Sequence, residues 1–305
     1  MKRLSFSAIA RWPWPVLAPV ITLVLIAIFA PLIMPYDPAA QDYTEVLSGP
    51  SWQHWFGTDY LGRDIFSRII GGAQVSLTAM TIVLAAALVI GVVLGSFAGY
   101  IGGTTEIVLI SVIDIILALP SLIIALALIG VMGAGYWSMI IALTMAWWAN
   151  YARMSRAVVA AELQQPYIDA VRIMGAGHLW IFARHILPHV LALVVVYASA
   201  DAGALVLSIA TLSFLGLGVA PPTPEWGQML VDGMGYIEEY PSLVIIPGLA
   251  LTLVVVSFNL LGAAFALQKV PRPIGRRELR RRRTSRAKEE AGRERIEHRN
   301  EGAPA

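Results

Sequence analysis

Six apolar runs, each near the length that crosses a bilayer, constrain this chain more than any other feature. A hydrocarbon core of about 30 Å takes about 20 residues as a helix. The runs are Trp14–Met34, Val75–Tyr100, Ile107–Met132, Tyr136–Ala152, Val190–Leu217 and Leu243–Leu267. No strand-like alternation of the outer-membrane kind accompanies them, so the expected class is an all-α membrane protein with six transmembrane helices. Composition agrees: 14% of the 305 residues are charged, against about 25% in soluble domains. Cysteine is absent, which excludes disulfide frameworks and thiol nucleophiles.

The first run follows Lys2, Arg3 and Arg11 but is too long for a signal peptide, lacks a small-residue cleavage site, and ends at Pro31 and Pro35. It reads as an uncleaved first span. Lys and Arg then set the orientation. Lys2, Arg3, Arg11, Arg153, Arg156, Arg172, Arg184 and a basic tail fall on one side, and only Arg63 and Arg68 on the other. The expectation is a multi-pass protein of the cytoplasmic membrane with both termini and the Tyr151–Pro188 segment cytoplasmic. Three regions follow: 1–73, with the first span and an external loop; 74–268, the transmembrane core; and 269–305, a tail holding Arg280 to Arg283. The tail is too polar to pack a core. It either fixes topology or meets anionic membrane lipid; nothing else in the chain supports a nucleic-acid partner.

Before the second span, Thr58 is a candidate helix cap, and Asp59/Arg63 and Asp64/Arg68 stand at i,i+4, in the favourable order. This predicts an interfacial helix feeding that span. Gly91, Gly95 and Gly99 form a small-residue seam, expected to pack another helix closely. Pro120 is a kink site in the third span.

The polar interruption at Tyr151–Pro188 has internal structure. Pro166 starts a short helix, about Tyr167–Met174, with Asp169 in its first turn. Tyr167, Ala170, Val171 and Met174 fall on one face. Gly175 and Gly177 stop it. A second helix runs from His178 to Ile186, and Pro188 disfavours helix at Leu187. From the residues alone, such a segment is either an ordinary loop or a docking surface.

The order Asp169-Ala-Val, three residues, Gly175, nine residues, His185-Ile-Leu-Pro188 resembles the EAA loop of ABC importer permeases. More narrowly, the chain is similar to the second-permease (DppC/OppC-like) branch of the dipeptide/oligopeptide family. His54–Arg68, Ile113–Leu126 and Leu212–Leu230 match that family in order. The resemblance implies a type I importer permease fold, with a coupling helix between spans four and five. Tyr167, Asp169, Ala170, Val171, Met174 and Gly175 would then meet an ATPase. It further implies a second, homologous permease subunit, two ATP-binding subunits carrying ATP and Mg, an extracytoplasmic substrate-binding protein and a peptide substrate. This chain itself would bind no cofactor or metal and catalyse nothing, since it has no phosphate-cradling G-x-x-x-x-G-K-[ST] loop. It departs from the family pattern in Asp169 for Glu, Val171 for Ala and Trp55 for Pro, and in Ala263 and Ala264 where an acid is frequent.

Asp114 and Asp201 are acids inside expected spans. They either line a translocation pathway or hydrogen-bond between helices. Glu225 and Trp226, after a proline-rich turn, are candidates for contact with the binding protein or for a lid packed on the pore. A related permease importing nickel, glutathione or another small solute is the neighbouring alternative. A proton-coupled secondary transporter, with Asp114 and Asp201 as a relay, is the alternative from another class. Genes for an ATPase and a binding protein beside this one would discriminate against it.

Overall fold

The computed structural model describes residues 14–269. The helices are α1 (Trp14–Ile33), α2 (Ile65–Ile101), α3 (Gly103–Leu117), α4 (Ser121–Met132), α5 (Tyr136–Leu163), α6 (Pro166–Ile173), α7 (His178–Ile181), α8 (Leu187–Phe214), α9 (Trp226–Met234) and α10 (Ser242–Lys269). A π-helical turn, Phe182–Ile186, joins α7 to α8. Among the described residues there is no sheet, only an isolated bridge between Thr58 and Asp64. Contacts make one compact unit to Phe265; of the second, Ala266–Ala305, only the end of α10 is described. The basic tail and the residues before the first span lie outside the described residues.

Four helical stretches are long and apolar enough to cross a membrane: Val16–Ile33, Ile65–Ile101, His178–Phe214 and Ser242–Ala266. The expected third span is two helices: α3 and α4 meet at 87° across Ala118–Pro120 and together make a fifth candidate. Proline at 120 has no N–H to continue the ladder, and here it ends one helix and starts the next rather than bending one. α5 is less apolar, with Arg153, Arg156 and Glu162 in its second half. Its 28 residues reach about 42 Å. Its first half is enclosed by protein: Met139, Ala142, Leu143, Ala146 and Ala149 are buried.

The glycine seam is the contact between α2 and α5. A methyl on Gly91 would lie 2.5 Å from the Tyr151 Cβ, one on Gly95 would overlap the Ala152 carbonyl, and one on Gly99 would lie 3.0 Å from the Arg156 carbonyl oxygen. Small residues let the two backbones touch, as helices in lipid require.

Helix ends meet in a consistent order. Met34 lies against Gly71 near the start of α2. Tyr100, at the end of α2, donates from its hydroxyl to the His178 carbonyl at 3.0 Å, at the start of α7. Gly135, before α5, donates to Leu217, after α8. Gly233 of α9 abuts Leu243 of α10.

The expected interfacial helix before the second span is absent. α2 starts at Ile65, with Asp64 as its cap, accepting from the Ser67 N–H at 2.7 Å. Thr58 instead accepts from the Ser48 N–H at 2.9 Å. Asp59 and Arg63 do pair, at 2.6 Å, within a turn. Asp64 and Arg68 do not: capping and the His54 ring, 2.9 Å away, occupy Asp64. Arg68 turns to Asp59 and Asp232, each at 3.4 Å. Arg63 also reaches Asp232, at 3.2 Å. Both arginines are buried, and two carboxylates balance their charge, which is what keeps guanidinium groups inside a fold.

Candidate functional site

The Tyr151–Pro188 segment folds as a hooked unit at the end of α5. Pro166 opens α6 at a position where a missing N–H costs nothing. Gly175 closes it at φ +86°, with its N–H on the Arg172 carbonyl and the Ala176 N–H on the Val171 carbonyl. This is the paired 5→2 and 6→1 Schellman arrangement. Nothing lies within 4 Å of where a Gly175 side chain would begin, so the glycine is required by backbone conformation and not by space.

The residues of the expected apolar face are divided between the inside and the outside of the fold. Ile168 is fully buried and Val171 partly so, at i,i+3, while Asp169, Ala170 and Met174 are exposed. An eight-residue helix holds on by one large anchor, and Ile168 is better placed than Met174 beyond the last turn. Tyr167 sits at the edge: its hydroxyl donates to Glu162 Oε2 at 2.6 Å. Burial, then that carboxylate, push the phenol up to about 12. Glu162 also meets His189 Nδ1 at 2.7 Å. This acid, not singled out by sequence reasoning, ties the ends of α5, α6 and α8 together. Its position at the close of an amphipathic helix gives no signal of that role.

On the outer side of the hook, Ile173 (87% exposed), Met174 (77%), Leu179 (81%) and Trp180 (54%) flank the glycine turn. They make an apolar knuckle beside the Asp169–Arg172 pair, at 3.4 Å. Exposed apolar groups gathered at one place mark an interaction surface. Beyond them, the chain does not break at Pro188. The π turn widens the helix and lets the proline ring enter a continuous helical run from His178 to Phe214.

The two intramembrane acids are held differently. Asp114 is exposed and pairs with Arg153 at 2.5 Å, tying α3 to α5. Glu106 and Arg156 make a second tie between the same helices. Asp201 is half-buried; its Oδ2 accepts from Trp147 Nε1 at 2.9 Å and the Tyr151 hydroxyl at 2.7 Å, joining α8 to α5. Both acids thus bond between helices, and they do not come together as a relay.

Glu225 and Trp226 are not surface contacts. Both are buried. Trp226 Nε1 donates to the Ile69 carbonyl at 3.1 Å. Glu225 caps α9 through the Gln228 N–H and accepts from Ser76 Oγ, each at 3.0 Å. Burial pushes this carboxyl up from 4.5 against the pull of those bonds. The prolines before them bring the turn onto α2, where Pro224 lies against Gly71.

Residues 91–271 match the family described as the binding-protein-dependent transport system inner membrane component, and residues 17–50 the N-terminal TM domain of oligopeptide transport permease C. The chain belongs to this family of ABC importer permeases. Among its relatives is the nickel transport system permease protein NikC of Escherichia coli K12, 40% identical over 86% of this chain and 95% of that protein. The glutathione transport system permease protein GsiD of Escherichia coli strain 536 is 42% identical over 80% of each. In three dimensions the permease resembles a chain of the inward-facing MetNI methionine ABC transporter, with a TM-score of 0.53 and 21% identity over 68% of this chain and 98% of that one. That likeness is one of fold: an all-helical type I importer permease.

Proposed function

We propose that this permease is one of two homologous subunits that together pass di- or oligopeptides into the cell by alternating access. Two separate ATP-binding subunits, carrying ATP and Mg, drive it, and an extracytoplasmic substrate-binding protein feeds it. The observation that carries this reading is the hook: α6, stopped by Gly175, projects an apolar knuckle of Ile173, Met174, Leu179 and Trp180, and α6 is the coupling helix that an ATPase grips. Tyr167, Asp169, Ala170, Val171, Met174 and Gly175 belong to that contact, with Tyr167 and Val171 on its inner side. The same reading takes six spans. They are α1, α2, the bent pair α3–α4, α5, α8 and α10, with α5 enclosed by the others and both termini on the cytoplasmic side. The paired helix ends at Met34/Gly71, Tyr100/His178 and Gly135/Leu217 fit that alternation.

A second reading of the solute rests on the relatives, whose names specify nickel and glutathione. The test is uptake into vesicles holding the permease pair, its ATPases and the cognate binding protein. Labelled alanyl-alanine is expected to accumulate only with ATP. Accumulation of Ni²⁺ or glutathione in its place would reassign the solute. Uptake driven by a proton gradient without ATP would overturn the reading as an ATP-driven importer.

A further inference from the structure

The middle of α8 holds an acid whose charge no neighbour balances. Asp201 lies 14 residues beyond Leu187, about 21 Å along the helix. Among the described residues, other enclosed or span-borne charges are matched: Asp114 with Arg153, Glu106 with Arg156, and Arg63 and Arg68 with Asp59 and Asp232. Asp201 has only the neutral donors Trp147 and Tyr151, both on Oδ2. Its Oδ1 accepts a hydrogen bond from none of the described residues and is not fully enclosed.

The surface around it is also unlike a lipid-facing one. Tyr197, Asp201, Ala204, Ser208 and Thr211 follow one another at helical spacing, all partly or largely accessible. The Tyr197 ring is held edge-on against Tyr151, 5.8 Å between centroids, and is 42% exposed one turn from the carboxylate. A carboxylate turned to hydrocarbon is costly, and acids within membrane helices face the bundle interior or a water-filled cavity. A fixed anion beside an accessible aromatic face suits a cation.

We propose that Asp201 Oδ1, with the Tyr197 ring beside it, is a binding station for a positively charged group as solute passes along α8. This rests on the permease reading above and adds the chemistry that the path selects. The class is cationic: the ammonium of an amine-bearing solute or a metal ion. The solutes named for the two relatives share such a centre, the ion in one and the α-ammonium in the other. Trp147 and Tyr151 are positioning residues, since both hold Oδ2 and leave Oδ1 without a donor.

The chain has no cysteine, so Ala204→Cys, i+3 from Asp201, is its sole thiol. In vesicles of the assembled transporter with its binding protein, the rate of modification is read on this chain by mass spectrometry. The probes are the trimethylammonioethyl and sulfonatoethyl methanethiosulfonates. At about 5–6 Å from a carboxylate, the cationic-to-anionic rate ratio is expected to exceed that of a small free thiol in solution about tenfold. Any shift in the thiol's own ionisation slows both equally and cancels in the ratio. Asp201→Asn keeps an acceptor oxygen for Trp147 and Tyr151 but drops the charge, and the ratio is expected to fall near that of the free thiol. Asp201→Glu is expected to preserve it.

Slowing of the cationic reagent by Ni²⁺ identifies a metal ion as the ligand, and slowing by alanyl-alanine identifies an ammonium; slowing by neither overturns the station. An unchanged ratio in Asp201→Asn also overturns it while leaving the permease reading intact. Modification by neither reagent would show that this face of α8 is covered, and the proposal fails there too. ATP-dependent uptake in the same vesicles reports separately on the permease reading.

Discussion

Arg63 and Asp232, 169 residues apart in the chain, meet at 3.2 Å inside the protein. Asp232 Oδ2 also receives Arg68, so one carboxylate on α9 holds two buried guanidinium groups from the segment that begins α2. Asp232→Ala leaves both arginines short of an anion in a dry site. The expected loss is about 3–5 kcal/mol, read as a lowered thermal midpoint of the detergent-solubilised protein. A change below about 1 kcal/mol would mean that water reaches the cluster.

Gly95→Ala should be as harmful as a larger change, because the added carbon meets the Ala152 backbone and not a side chain that can move. Overpacking of this kind costs about 1–3 kcal/mol. Folding yield and thermal midpoint in detergent check it. Gly130, with nothing within 4 Å, is the control and should tolerate alanine.

At Gly175 the demand is the left-handed backbone, φ +86°. Valine there costs about 1–2 kcal/mol, and asparagine, which visits that region more readily, costs less. The expected pattern is loss of ATPase co-purification and uptake in Gly175→Val, largely restored in Gly175→Asn, with both proteins still in the membrane. Equal behaviour of the two variants would place coupling elsewhere.

Ile168 and Met174 separate anchoring from docking. Ile168→Ala removes a fully buried side chain, and such truncations cost about 2–5 kcal/mol. Met174→Ser changes an exposed group and should leave stability within about 0.5 kcal/mol while weakening ATPase association. Stability is read by thermal unfolding and association by pull-down of the ATPase subunits.

Glu225 makes a pH prediction. Burial raises its folded pKa above 4.5, so the folded state holds the proton more tightly than the unfolded one. Its contribution is present in full below the unfolded pKa and declines as pH rises through the raised value. Glu225→Gln should therefore flatten the fall in stability between about pH 4.5 and neutrality. A thermal midpoint measured across that range, with an unchanged slope in the variant, would contradict it.

How far each element was readable depends on the distance over which its cause acts. The Gly91/Gly95/Gly99 seam and the Gly175 stop arise from spacing within one helix or turn, and the structure has them where the residues indicate; of the six apolar runs, four fall in helices long and apolar enough to cross a membrane and one is a bent pair. Pro120 marked a site of bending, but the 87° angle depends on how α3 lies across α5 through Glu106–Arg156 and Asp114–Arg153. Trp226 looked external because prolines precede it; its burial depends on Ile69, 157 residues away. Ile168 as the buried anchor of α6 was not singled out by spacing, because packing against the rest of the fold selects one anchor from several apolar residues. Glu162 as a hub for Tyr167 and His189 required three helix ends to converge.

The wide turn at Phe182–Ile186 has a consequence for phase. Each residue of a regular helix advances the azimuth by about 100°, and a π turn takes in one residue more than a regular turn without lengthening the rod in proportion. The knuckle bearing Leu179 and Trp180 is thereby rotated about the α8 axis relative to where an unbroken α-helix would carry it. Deleting one residue from this turn would re-aim the knuckle without shortening the chain's reach by more than about 1.5 Å. The turn thus sets the compass bearing between the Leu179/Trp180 knuckle and the face of α8 that carries Asp201.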